Sequence, residues 1–166
     1  LMIHDLDIVT HLVHSDVKNI YANGVSILSR TPDIANVRIE FENGCVANLT
    51  ANRVALQNVR SISIFQENKF INIDLLNKSN TNNKIQKITS NSSPKGIIID
   101  PGYNQQKFEI IQNQPIINPV NAIKTELECF YKSINQNLPL AVSLFDAEKA
   151  LQVVQDIEFQ INPIKK

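Results

Sequence analysis

The sequence predicts an α+β fold in which one large, mainly antiparallel open sheet carries helices on one face. Three observations support this class. Asn43-Gly44 separates two runs of alternating apolar and polar residues, a second alternating pair fills residues 61–75, and apolar residues recur at helical spacing after residue 118. The chain has 166 residues, 43% of them hydrophobic. This is enough for one core, so we expect a single domain over residues 1–166.

The first elements are predicted as a helix and three strands. Residues 1–14 have helical spacing, which Ser15-Asp16 interrupts. Residues 17–28 alternate, with a bulge or kink at Asn23-Gly24. A turn at residues 31–33 precedes strands predicted over residues 34–42 and 45–55. Asn43-Gly44 between them indicates a type I′ hairpin, in which both turn residues take positive φ.

The middle of the chain is predicted as two strand pairs around a loop. Residues 61–65 and 70–75 form a hairpin, and residues 96–100 and 107–112 form two further strands. Residues 77–94 consist mostly of Asn, Ser, Thr and Lys, a composition that cannot bury a core. We therefore expect a mobile loop over residues 77–94, in which Ile85 and Ile88 could form a short edge segment.

Two helices are predicted at the end of the chain. Asn118 caps the first, Pro119 occupies its first turn, and Leu138-Pro139 ends it. Ser143 with Asp146 fits a capping box at the start of the second, which ends at Pro163.

Composition excludes several functions. Lys and Arg together number 16, as do Asp and Glu, so we expect no nucleic-acid partner. No apolar run approaches the ~20 residues that span a bilayer, so we expect no membrane partner. Cys45 and Cys129 lie far apart without a CxxC neighbour, which favours reduced thiols and a cytoplasmic location. The four glycines, Gly24, Gly44, Gly96 and Gly102, lack the spacing of a nucleotide-binding loop. We therefore expect no cofactor-binding residue within this chain.

All three histidines lie on the first predicted helix. At 100° per residue, His4, Asp7, His11 and His14 share one side. Three interpretations compete for this stripe: a catalytic or substrate-binding edge, a metal site, or a solvated helix face. Metal sites usually draw a ligand from a second element and no other histidine exists, so we expect no bound metal.

The order of several segments resembles a known family. The segment Leu1-Met2-Ile3-His4-Asp5-Leu6-Asp7 is similar to a motif of the glucose–fructose oxidoreductase/inositol dehydrogenase (Gfo/Idh/MocA) family, in which an Asp precedes a His by a few residues. The resemblance continues through residues 16–17 and 31–44, and returns at residues 121–127 and 139–143.

The resemblance implies the C-terminal α+β domain of a two-domain oxidoreductase, of the dihydrodipicolinate-reductase or glyceraldehyde-phosphate-dehydrogenase type. The N-terminal Rossmann domain, with the NAD or NADP site and a catalytic Lys, is expected to be absent from this chain, and the motif Asp to lie just before Leu1. This chain alone is then expected to be inactive. It would supply part of a pocket for a sugar, polyol or related hydroxy compound, and a sheet face for a homodimer or higher oligomer.

The resemblance assigns the catalytic role in this chain to His4, at the reacting hydroxyl. Asp7 could orient His4 from one turn away, and Asp5 is a further candidate for substrate binding. Arg53, on a predicted strand, could bind a substrate acid or phosphate, or remain a solvent-facing charge.

Two other classes of function stay open. One is a non-catalytic binding or assembly module that kept the fold. The other is a metal-dependent hydrolase that uses the histidine stripe.

Overall fold

The computed structural model describes residues 2–89, 93–102, 106–118 and 120–162. Within these residues the elements are α1 (Ile3–Val13), β1 (Val17–Val25), β2 (Ile34–Phe41), β3 (Val46–Asn52), β4 (Ser61–Gln66), β5 (Lys69–Asp74), β6 (Ser79–Lys87), β7 (Ile97–Ile99), β8 (Phe108–Asn113), α2 (Ala122–Gln136) and α3 (Leu144–Ile161). Every described strand pair is antiparallel. The predicted α+β class is confirmed.

The strands form two sheets, and the expectation of one large sheet was wrong in this respect. β1, β2 and β3 pair in that order, whereas the second sheet has the order β4-β5-β6-β8-β7. Just beyond β3, Arg53 donates its N–H to Asp33 O at 3.1 Å, and Asn52 Oδ1 accepts the N–H of Val54 at 2.8 Å. The chain divides into two compact units, Leu1–Leu56 with Ala122–Lys166, and Gln57–Asn121.

The core of the first unit lies between the three-stranded sheet and helices α1 and α3. Cross-strand partners share a face of the sheet, and Val37 opposite Leu49 lies on the same face as Ile39 and Phe41. Leu6 of α1 and Val153 and Ile157 of α3 cover this face. Leu6, Ile39 and Phe41 are almost completely buried, and each contributes about 1.5–3 kcal/mol through removal of apolar surface from water.

The opposite face of this sheet is polar. Arg38 pairs with Glu40 at 3.2 Å, Asn19 donates to the same carboxylate at 3.2 Å, and Thr50 donates to Asn36 at 2.9 Å. Hydrogen bonds from Asn19 and Arg38 hold the pKa of Glu40 below its usual value. The helices therefore cover one face of this sheet, as predicted, and water can solvate the other.

The two C-terminal helices differ in burial. Ser143 accepts the N–H of Asp146, whose carboxylate accepts the N–H of Ser143 in return, so the predicted capping box of α3 is confirmed. α2 begins at Ala122, and the predicted first-turn Pro119 lies outside the described residues, as does Pro163. No described side chain of α2 is buried, and its apolar stripe is exposed: Ile123, Leu127, Phe130, Tyr131 and Ile134.

The predicted mobile loop over residues 77–94 was wrong for most of its length. Residues 79–87 form β6, the central strand of the five-stranded sheet, while residues 90–92 lie outside the described residues. The backbone of β6 pairs with β5 on one side and β8 on the other. Strand formation depends on these neighbours more than on the intrinsic preference of Asn and Thr.

Two predicted turns also differ in detail. Gly44 donates its N–H to Phe41 O at 3.0 Å and has a φ of 83°, whereas Asn43 is not among the described residues with positive φ. This geometry fits a three-residue hairpin loop with a glycine bulge, not a type I′ turn. The irregularity in β1 lies between Val17 and Asn19, and Asn23-Gly24 pairs regularly with β2. No helix among the described residues combines the length and apolar character needed to cross a membrane.

Candidate functional site

His4 lies in the first turn of α1 and is exposed to solvent. The helix begins without a side-chain cap, and Met2 O accepts the N–H groups of Asp5 and Leu6, each at 3.0 Å. Leu6 anchors this turn in the core, which turns His4 outward. Asp5 and Asp7 are half-buried. No described group forms a hydrogen bond with the side chain of His4, Asp5 or Asp7, and their role in binding substrate stays a prediction.

The other end of α1 is fixed to the β2–β3 hairpin. Asn43 Nδ2 donates to Val13 O at 3.3 Å, and Ser15 Oγ accepts the N–H of Asn43 at 3.1 Å. His14, with φ 48°, ends the helix in a left-handed conformation. At 1.5 Å per residue, His4 therefore lies about 15 Å along the helix from this hairpin.

The polar stripe divides between two environments. Asp7, His11 and His14 line a groove of about 910 Å³ together with residues of β1 and α3, but His4 is not among the lining residues. The rings of His11 and His14 are 5.9 Å apart. The described residues contain no group of three side chains placed to hold a metal ion. His4 is therefore exposed outside the groove, whereas the other three residues of the stripe line it.

Arg53 follows β3 directly and is held by the loop between β1 and β2. Its Nε lies 2.6 Å from Asp33 Oδ1, and its terminal nitrogen donates to Ser29 Oγ and, at 2.9 Å, to Thr31 Oγ1. The Arg53 side chain is 41% exposed, whereas that of Asp33 is only 2% exposed. These contacts give Arg53 a structural role. Its role in binding substrate stays a prediction.

Asp33 organises this loop through backbone hydrogen bonds. One carboxylate oxygen accepts the N–H groups of Leu28 and Ile27, each at 2.6 Å, and that of Ser29 at 3.1 Å. These N–H groups, with Arg53, hold the pKa of Asp33 far below its usual value despite the opposing effect of burial. The sequence marked Asp33 only as part of a turn. An Asp after Pro, just before a strand, was the available signal for such a loop.

The described residues lack the structural motif that usually binds a nicotinamide nucleotide. That motif is a glycine-rich turn between a strand and the start of a helix. α1, α2 and α3 begin at Ile3, Ala122 and Leu144, and no glycine lies immediately before any of them. We therefore assign no cofactor contact to these residues.

Comparison with known proteins agrees with this architecture. Residues 1–71 match the model of the GFO/IDH/MocA C-terminal domain. The UDP-N-acetylglucosamine 3-dehydrogenase of Acidithiobacillus ferrooxidans is 35% identical over 79 residues, which are 48% of this chain and 25% of that protein. The segments at residues 121–127 and 139–143, which also suggested the family, lie outside the residues that the family model matches.

Solved structures extend the likeness in fold to nearly the whole chain. A structure of the A. ferrooxidans enzyme covers 97% of this chain with a TM-score of 0.81 and 24% identity. An NAD-binding protein from Listeria innocua covers 96% with a TM-score of 0.69 and 19% identity. An oxidoreductase from Desulfitobacterium hafniense, described as NADPH-dependent, covers 98% with a TM-score of 0.75 and 14% identity.

The chain spans less than half of each of these structures, 47%, 47% and 44% respectively. Residues 1–71 are therefore similar in sequence to the GFO/IDH/MocA C-terminal domain, and nearly the whole chain shares the fold of these solved structures.

Proposed function

We propose that this chain is the substrate-binding and self-association part of an NAD(P)-dependent dehydrogenase that acts on a hydroxyl of a sugar, polyol or related compound. The observation that carries the proposal is the 35% identity with a UDP-N-acetylglucosamine 3-dehydrogenase, together with the family match that includes His4. A nucleotide-linked sugar is accordingly the first substrate to test. NAD or NADP would be bound by residues outside this chain.

His4 is the residue we assign to the reaction. Oxidation of a secondary alcohol requires a group that accepts or hydrogen-bonds the hydroxyl proton. An imidazole can do both near neutral pH. The exposed position of His4, free of hydrogen bonds to described groups, supports this role, and the half-buried Asp5 and Asp7 are candidates for contacts to neighbouring hydroxyls.

Self-association is proposed through one face of the five-stranded sheet. This face carries apolar side chains on all five strands, since Phe65 is opposite Phe70, Ile85 is opposite Ile110, and Ile110 is opposite Ile97. Phe108 and Ile99 extend the same face. Phe65, Ile97 and Ile99 remain 77%, 67% and 42% exposed. Contiguous exposed apolar surface is typical of interfaces. The polar outer face of the three-stranded sheet is a poorer candidate.

We also propose a cytoplasmic location. Cys45 and Cys129 are both exposed free thiols, a state that a reducing compartment preserves.

The experiment is an assay of the complete polypeptide that carries this chain. NAD⁺ or NADP⁺ reduction is followed by absorbance with free sugars, polyols and UDP-sugars. Turnover with one of them supports the dehydrogenase. The absence of turnover with every compound, together with sugar binding in calorimetry, would instead favour a non-catalytic binding module. This holds whether or not the cofactor binds. Activity that depends on added zinc or manganese and needs no nucleotide would favour a hydrolase.

A further inference from the structure

The outer edge of β1 is closed by a single side chain from α3. β1 is an edge strand, since it pairs only with β2 within its sheet. Gln160 Oε1 accepts the N–H of Ala22 at 2.9 Å, and Gln160 Nε2 donates to the C=O of Ile20 at 2.7 Å. One side-chain amide thus satisfies a donor and an acceptor that would otherwise point away from the sheet.

These two groups are the ones that another strand would use. Along a strand, residues two apart direct their backbone groups to the same side, so Ile20 and Ala22 mark the outward edge. An edge with unpaired N–H and C=O groups is a template for a further strand, and proteins protect such edges with charges, bulges or covering groups. The Gln160 amide has this covering geometry.

A groove between α1, β1 and α3 reaches the first residues of this edge. The groove of about 910 Å³ is lined by Val17, Lys18, Asn19 and Ile20 of β1 and by Phe159 and Gln160 of α3, among others. The register irregularity between Val17 and Asn19 already disturbs the start of the strand. The centre of β1, where the pairing is regular, is the part that Gln160 covers.

We propose that Gln160 guards the edge of β1 against strand addition by a second copy of this chain. The edge can pair with itself. In an antiparallel register centred on Tyr21, Ile20 of each copy lies opposite Ala22 of the other, and Asn19 lies opposite Asn23. This register brings no like charges together at its centre and directs the outward backbone groups of both copies toward each other.

The position of Gln160 is compatible with a guard that can be removed without loss of the fold. Gln160 is exposed and near the end of α3, whereas the core contacts of this helix come from Val153 and Ile157. Alanine and methionine are both good helix formers, so Gln160→Ala and Gln160→Met remove the amide and keep the helix. Gln152→Ala is the matched control, because the hydrogen bond that Gln152 forms with a described residue stays within α3, to Asp156 at 3.2 Å.

The test is sedimentation velocity of the full chain over a hundredfold concentration range, with circular dichroism to verify folding. We expect Gln160→Ala and Gln160→Met to form a larger species at the upper concentrations than the unsubstituted chain forms, with Gln152→Ala unchanged. Adding Tyr21→Lys to Gln160→Ala should reverse the association, because it places like charges opposite each other. Hydrogen exchange of the Ala22 amide gives a second measurement, since it should be protected in the unsubstituted chain.

Folded Gln160 variants that sediment like the unsubstituted chain at every concentration would overturn the proposal. So would an Ala22 amide that exchanges as fast in the unsubstituted chain as in the variants at concentrations where the variants are not associated. Association of Gln160→Ala that Tyr21→Lys leaves intact would reject pairing through the β1 edge. None of these outcomes depends on whether the complete protein is a dehydrogenase.

Discussion

Arg53 Nε lies 2.6 Å from Asp33 Oδ1, and this ion pair joins the end of β3 to the loop that leads into β2. The same carboxylate group accepts the N–H groups of Leu28 and Ile27. One buried carboxylate therefore holds the shape of the loop and ties to it Arg53, the residue that follows β3.

Asp33→Asn should lower the melting temperature by several degrees at pH 7. Folding holds the pKa of Asp33 below its unfolded value near 4, so the carboxylate stabilises the fold fully above about pH 4 and progressively less as the pH falls toward the folded pKa. The difference in melting temperature between Asp33→Asn and the unsubstituted chain should narrow as the pH falls from about 4 to about 2. Circular dichroism melts across this range provide the measurement.

Asp16→Asn is the control for this effect. Asp16 is highly exposed and lies 3.7 Å from Lys149, a surface ion pair that contributes little. A difference in melting temperature between Asp33→Asn and the unsubstituted chain that stays constant down to pH 2 would contradict the assignment.

Arg53→Lys separates a structural from a substrate-binding role. An ammonium group cannot keep the forked contacts to Asp33, Ser29 and Thr31, so the free energy of unfolding should fall by about 1 kcal/mol, allowing for the exposure of Arg53. Urea unfolding of the chain measures this. A pure substrate role would instead leave unfolding unchanged and raise KM of the complete enzyme.

Gly24→Ala should be destabilising for a steric reason. A Cβ at residue 24 would lie 2.5 Å from Ile161 Cγ2 and 3.1 Å from Pro32 Cβ. Overpacking of this kind costs about 1–3 kcal/mol. Ile161→Ala removes the closer atom, so Gly24→Ala should cost less in that background. Urea unfolding of the two single variants and the double variant gives the coupling free energy between residues 24 and 161. Strictly additive changes in the free energy of unfolding would show that this contact does not matter.

Ser143→Ala should cost about 1 kcal/mol because it removes the cap of α3. The Ser143 hydroxyl and N–H hold the pKa of Asp146 below its usual value, so Ser143→Ala should raise that pKa. Two-dimensional NMR of the Asp146 carboxyl measures the shift, and urea unfolding measures the stability. Ser133→Ala is the control, since the Ser133 hydroxyl is exposed and bonds Cys129 O in the preceding turn of α2 at 3.0 Å and Pro139 O at 3.4 Å, with no capping role.

The sequence was most informative where a local pattern and its neighbours agreed. Alternation over residues 34–52 and 61–75 predicted strands that pair as expected, with Ile62 opposite Ile73 and Ile64 opposite Ile71. The capping box at Ser143 was also local and was confirmed.

The remaining features depend on contacts that a single segment cannot reveal. β6 is polar, and its strand conformation comes from pairing with β5 and β8 on either side. The division into two sheets depends on which strands pair with one another, and the partners of each strand lie in other segments of the chain. No local sequence pattern marks Gln160, because its hydrogen-bond partners Ile20 and Ala22 are about 140 residues away in the chain.

The most direct test of the proposed function compares His4→Ala with His11→Ala in the complete enzyme. Both side chains are exposed on α1, two turns apart, so both substitutions perturb the helix similarly. We predict that His4→Ala lowers kcat for sugar oxidation by about 100-fold or more, while His11→Ala stays within about threefold of the unsubstituted enzyme. Equal turnover of the two variants would contradict the assignment of His4.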